Sequence, residues 1–128
     1  MPAIDLQMGA IGQITNTVTD VPRAVAFYRD AVGLRQLPIP APPSLAFFDC
    51  AGIRLMLSQP EAGFERNGSV LYFRVPDIQS AYQALRARGV SFLDEPHMIA
   101  RMPDYELWMT FFRDPDDNPL ALMCEVRP

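Results

Sequence analysis

Histidine is nearly absent from this chain: its 128 residues contain one, His97. Within one subunit that excludes a three-histidine zinc site and a facial pair of histidines with a carboxylate. Cysteine is almost as scarce. Cys50 and Cys124 stand 74 positions apart and form no CxxC motif, so the expectation is two reduced thiols in a cytoplasmic protein. No run approaches the roughly 18 apolar residues of a membrane span, and the N-terminus lacks a basic-then-apolar pattern, so neither a span nor a signal segment is expected. Eleven basic residues are dispersed among fifteen acidic ones, for a net charge of −4. Nucleic acid and anionic membranes are therefore not expected partners.

What is present describes a globular chain. At 49% hydrophobic and 20% charged residues, the length suits a single domain over residues 1–128 with a buried core. Residues 1–8 show no periodicity. Ile11, Ile14 and Val18 among threonines predict a strand over about 10–19. Asp20 then reads as an N-cap, Val21, Ala24, Val25, Tyr28 and Val32 recur at helical spacing, and Gly33 closes the helix. A short strand over 34–37, a proline loop over 38–43, and strands over 44–49 and 53–58 follow. Residues 60–68 read as a polar linker.

The order then returns: a strand over 69–75, the N-cap Asp77, a helix stripe of Ile78, Ala81, Tyr82 and Leu85, and Gly89. Strands are predicted over 90–93, 105–113 and 120–126, with 94–104 as an irregular insertion that leads into Tyr105 and is expected to act as a flap over the cleft. A shift of 57 places Asp20 on Asp77 and Ala24 on Ala81; a shift of 65 places Leu55 on Leu120 and Leu57 on Leu122. The fold class predicted is α+β. Two βαβββ modules, about 9–59 and 69–126, form a curved mixed sheet around a cleft with the helices outside.

Side chains alternate across a strand. Leu120, Leu122 and Cys124 should face a helix, leaving Ala121, Met123 and Glu125 to the cleft. By the same parity Arg54 and Met56, and Tyr72 and Arg74, look into the cleft. Either arginine clamps an anion in bidentate fashion or pairs with Glu125 or another acid. Glu125 is a base at the cleft mouth or a solvated, ion-paired carboxylate. Tyr72, Trp108, Phe48 and Phe112 are either aromatic walls for a flat ligand or core and interface bulk. His97 is a candidate acid or base or a solvated loop residue.

Two stretches carry a resemblance. Val18-Thr19-Asp20 leads into Phe27-Tyr28-Arg29-Asp30-Ala31-Val32-Gly33-Leu34, and Phe112-Arg113-Asp114-Pro115-Asp116-Asp117-Asn118 looks like a DPDGN turn with aspartate for glycine. Together they resemble the vicinal oxygen chelate superfamily: glyoxalase I, bleomycin-resistance proteins and extradiol dioxygenases. The resemblance implies a site on the cleft-facing strands, commonly within a homodimer. In metal-using members four such positions hold a cation. Carried onto this chain they are Gln13, Met56, Val70 and Ala121, of which only Gln13 offers an oxygen. No metal and no cofactor is therefore expected. The expected function is small-molecule binding, with Gln13, Phe48, Arg54, Met56, Tyr72, Arg74, His97, Trp108, Phe112 and Met123 against the ligand. The alternative is a lyase, isomerase or dioxygenase-type enzyme of the same superfamily, acting on a small metabolite with Glu125 or His97 as base.

Overall fold

Two aspartates set where the helices begin. Asp20 is extended (φ −136°) and its carboxylate accepts from Arg23 N at 3.1 Å. Asp77 repeats the arrangement at φ −140°, accepting from Gln79 N at 3.1 Å and Ser80 N at 3.2 Å. Each carboxylate satisfies a donor that helix geometry leaves without an internal partner. The bonds from Ser80 hold the Asp77 carboxyl below its ordinary value. In this computed structural model, which describes residues 11, 13–59 and 70–128, the caps open helices α1 (Val21–Ala26) and α2 (Ile78–Ala87). α1 widens into a π-helical stretch, Phe27–Val32, that ends where Gly33 N bonds to Tyr28 O with Gly33 at φ 89°. Glycine takes that left-handed conformation without a Cβ clash.

The first sheet contains β1 (Gln13–Thr17), β2 (Arg35–Gln36), β3 (Leu45–Cys50) and β4 (Ile53–Ser58), in the order β1-β4-β3-β2. The second contains β5 (Leu71–Arg74), β6 (His97–Arg101), β7 (Glu106–Arg113) and β8 (Pro119–Val126), in the order β5-β8-β7-β6. In each, the first strand runs parallel to the last and the other pairs are antiparallel. The duplication extends to the register. Ile14 pairs with Leu55 and Leu71 with Leu120, which are the same two positions moved by the shifts of 57 and 65. The architecture is α+β, two βαβββ modules each with a four-stranded mixed sheet.

Parity decides what each sheet buries. Phe48, Leu55 and Leu57 from the first sheet and Phe112, Leu120, Leu122 and Cys124 from the second face the helices. With Tyr28, Ala24, Ile78 and Leu85 they form a single core. Each fully buried Leu or Phe contributes about 1.5–3 kcal/mol.

The modules are also joined by a polar lock. Asp114 Oδ1 accepts from Asp116 N and Asn118 N, both at 2.9 Å, which shapes the turn between β7 and β8. Its Oδ2 accepts from Asn118 Nδ2 and from the Tyr28 hydroxyl of α1's extension, both at 2.8 Å. Asn118 Nδ2 also donates to Thr17 O at 2.8 Å, and Asp116 accepts from Thr19 N at 2.9 Å and from the Thr19 hydroxyl. The turn that sequence identified by its Asp-Pro start thus docks the second module on the first.

Two expectations are corrected. Residues 90–93 are not a strand: Phe92 makes one isolated bridge to Phe112 and its ring packs 4.6 Å from Tyr82 and 5.2 Å from Phe112. The outer strand is instead β6, inside the stretch expected to be irregular. Asp94 explains the switch, because its carboxylate accepts from Phe111 N at 2.9 Å and Thr110 Oγ1 at 2.7 Å, taking a backbone donor from any strand at 90–93. β6 then pairs with β7 and carries a bulge between Met98 and Ala100, which breaks the alternation that would have revealed it. The arm at 1–8, the linker at 60–68, and Ser69 lie outside the described residues.

Candidate binding face

The helix-facing sides carry the core, and the opposite face of each sheet carries the side chains that parity assigns to a ligand. On the first sheet, Gln13 and Thr15 of β1, Arg54 and Met56 of β4, and Phe47 and Asp49 of β3 share this face by register. Polar groups here are engaged with one another. Arg54 Nε donates to Gln13 Oε1 at 2.8 Å, and its guanidinium lies 5.7 Å from the Phe47 ring centroid. Gln13 Nε2 approaches Met56 Sδ at 3.9 Å, and Arg35 pairs with Asp49 at 3.8 Å.

On the second sheet the register builds two cross-strand rows. Tyr72, Ala121 and Phe111 form one; Arg74, Met123, Met109 and His97 form the next. Arg113, two residues beyond Phe111, closes the other end. The Tyr72 and Phe111 rings meet edge to face, centroids 6.1 Å apart, and Ala121 between them is fully buried. His97 Nδ1 stands 2.8 Å from Glu95 O. A carbonyl only accepts, so the proton of a neutral ring sits on Nδ1 and Nε2 remains an acceptor. Glu125 is half-buried and its carboxylate lies 3.6 Å from Arg127.

Of the residues expected around the ligand, Gln13, Arg54, Met56, Tyr72, Arg74, His97 and Met123 lie on the open faces. Phe48 and Phe112 do not: both are fully buried in the core. Trp108 also points to the helix side, donating from Nε1 to Glu106 at 3.0 Å and lining a cavity of about 470 Å³ with Ile78 and Cys124 beside the start of α2. The neighbouring residues Phe47 and Phe111 hold the aromatic positions that Phe48 and Phe112 were expected to hold. For Phe111 a signal existed, since the strand parity that put Ala121 on the open face puts its cross-strand partner there too. Met109 and Arg113 follow from the same parity and were missed with it.

Carboxylates, thiols and imidazoles do not converge: among the described residues no group of three or more His, Cys, Asp and Glu side chains is placed to hold a metal ion. At the four positions that the resemblance marks as metal-ligand positions, Val70 and Ala121 have no donor atom and Met56 offers a soft thioether. Gln13 has the one hard oxygen, and that oxygen already accepts from Arg54. No helix among the described residues is long and apolar enough to cross a membrane.

Known proteins share this arrangement. The chain is 29% identical over 126 residues to the uncharacterized protein YraH of Bacillus subtilis, covering 86% of this chain and 94% of that one. A glyoxalase/bleomycin resistance protein/dioxygenase superfamily member from Sphaerobacter thermophilus superposes with a TM-score of 0.76 at 25% identity, over 94% of this chain and 100% of that one. A lactoylglutathione lyase from Agrobacterium tumefaciens gives a TM-score of 0.71 at 23% identity, over 91% of this chain and 94% of that one, a likeness of fold. Residues 10–122 match the model of the Glyoxalase/Bleomycin resistance protein/Dioxygenase superfamily, and the chain belongs to that superfamily.

Proposed function

We propose that this chain binds a small organic molecule on its open sheet faces without the divalent cation that metal-using relatives employ. One observation carries the reading. The only hard donor among the four family positions, Gln13 Oε1, accepts from the Arg54 guanidinium at 2.8 Å. A divalent ion there would face a fixed positive charge with two neighbouring positions, Val70 and Ala121, unable to ligate it. What the faces offer instead is thioether and aromatic surface, from Met56, Phe47, Tyr72, Phe111, Met109 and Met123, with arginines at the margins. Such a mixture suits an organic ligand with few polar groups.

A second copy of the chain is the partner this reading calls for. Tyr72 and Ile99 of the second module are large apolar side chains left exposed, area that another subunit would cover while closing a cleft over the ligand. The compartment inferred is the cytoplasm, where both thiols stay reduced. A metal-free enzyme is the second reading, and the observation favouring it is the free Nε2 of His97 on the same face as the arginines.

The test is elemental analysis of protein purified without chelator, run beside thermal denaturation against a panel of small molecules. Metal well below one equivalent is expected, with at least one compound class raising the melting temperature. A ligand at 100 times its Kd stabilises by about 2.7 kcal/mol. The shift should vanish in Tyr72→Ala and Arg74→Ala and persist in Trp108→Phe. Stoichiometric nickel, zinc, manganese or iron would overturn the proposal.

A further inference from the structure

We infer that the open face of the second sheet takes a flat aromatic carboxylate, its ring against Tyr72 and Phe111 and its carboxylate on Arg74 or Arg113. The inference rests on the binding reading above and names the ligand class.

The aromatic half follows from Ala121. Tyr72 and Phe111 are cross-strand partners of the same alanine on either side of it. Two strand spacings separate their backbones by about 10 Å, yet their ring centroids stand 6.1 Å apart with planes at 81°. The rings therefore lean inward over the small side chain, and a longer residue at 121 would stand between them. Tyr72 is left half exposed beside Phe111. Met109 and Met123 in the adjoining row extend the surface with polarizable sulfur, which packs favourably on aromatic ligands.

The anionic half follows from charge. Arg74 stands two residues beyond Tyr72, across from Met123; Arg113 stands two beyond Phe111, across from Pro119. They flank the ring pair at opposite ends. Both are exposed, and neither has a hydrogen bond, ion pair or ring contact among the described residues. Glu125, the acid of this face, is engaged by Arg127 at 3.6 Å. On the first sheet, by contrast, Arg54 and Arg35 are both engaged within the chain. The second face thus presents two uncommitted guanidinium forks beside an aromatic surface in a chain whose net charge is −4. A guanidinium fork matches a carboxylate bidentately, and an aromatic ring on the acid uses the surface that the alanine opens.

Titration calorimetry with 1-naphthoate, 1-naphthamide and cyclohexanecarboxylate tests this. Naphthoate should bind at least tenfold more tightly than either analogue. The double variant Arg74→Met, Arg113→Met should bring naphthoate to the level of the amide; both side chains are exposed, so the variant keeps the fold, checked by circular dichroism. Tyr72→Leu should weaken naphthoate and the amide in parallel. Equal binding of cyclohexanecarboxylate and naphthoate, no naphthoate binding at millimolar concentration, or an unchanged acid-to-amide ratio in the double variant would each overturn the inference. Should other compound classes bind and lose their effect in Tyr72→Ala, the ligand class is wrong and the binding reading stands. Stoichiometric metal in the purified protein removes the binding reading itself.

Discussion

Module one joins its last two strands through Ala51-Gly52, and module two makes the same join through the five residues Asp114–Asn118. The first turn is local. Its one side-chain bond, from Gly52 N to Asp49 Oδ1 at 3.2 Å, stays within four residues. The second turn reaches across the molecule to Thr17, Thr19 and Tyr28. Elements related by duplication have therefore divided the work: one turn closes a hairpin and the other joins the modules. The open faces divide in the same way. The first sheet satisfies its arginines internally, whereas the second leaves Arg74 and Arg113 for something else.

The sharpest way to break this comparison is at the carboxylates of the two turns. Asp114 is buried and accepts four hydrogen bonds. Asp114→Ala strands those donors in the interior, where each unsatisfied group costs about 1–3 kcal/mol before relaxation and water entry. The expected net loss is about 3–4 kcal/mol in urea unfolding. The corresponding change in module one, Asp49→Ala, removes one hydrogen bond and a long, exposed ion pair with Arg35, and should cost under about 1 kcal/mol. Similar losses for both would mean that the second turn is no more than a hairpin.

The hydroxyl that completes the lock gives the next largest effect. Tyr28 is fully buried, donates to Asp114 and accepts from Asn16 Nδ2 at 3.2 Å. Burial, then the charge of Asp114, raises its phenol above the ordinary value of 10.0. Tyr28→Phe should cost about 1–2 kcal/mol near neutral pH, the worth of a hydrogen bond to a charged group. The pH dependence has a definite sign. The folded chain holds the phenolic proton more tightly than the unfolded chain does. The contribution is therefore complete below pH 10 and declines as pH rises above it. Chemical unfolding at about pH 8 and about pH 11 should show the gap between wild type and variant narrowing. A gap of constant size would contradict the assignment of Tyr28 to the lock.

These two residues also show how far the sequence could be read. Asp20, Asp77 and Asp114 each announce their positions, because an aspartate before a helical stripe or a Pro turn has a local hydrogen-bonding role whatever surrounds it. The duplicated plan was legible for a related reason, since its spacing survives in apolar positions such as Ala24 and Ala81 or Leu55 and Leu120. Tyr28 read only as one residue of a helix stripe; that its hydroxyl reaches Asp114 depends on how the modules dock. The doublets Phe47-Phe48 and Phe111-Phe112 were ambiguous for another reason. Both members are aromatic, so alternation alone cannot say which faces the core. The isolation of Arg74 and Arg113 is a property of what does not surround them, and only three-dimensional placement shows it.

The smallest expected effect sharpens the comparison at the backbone. Ala51 (φ 49°) and Gly52 (φ 94°) are both left-handed, as a two-residue type I′ turn requires. An added Cβ at Gly52 meets nothing within 4 Å, so the demand there is one of dihedral angle and not of space. Alanine pays that demand at position 51, at about 1 kcal/mol. Module two places an aspartate, Asp117 (φ 62°), at its own left-handed position, and a short polar side chain tolerates that region better. Ala51→Asn should therefore stabilise the chain by about 0.5–1 kcal/mol, read as a rise in the urea midpoint at constant m-value. Asp117→Asn, which already has a tolerant residue, should change stability by less than about 0.5 kcal/mol. If Ala51→Asn gives no gain, the first turn is not limited by its dihedral angles. The contrast between a strained local turn and a relaxed docking turn would then fail.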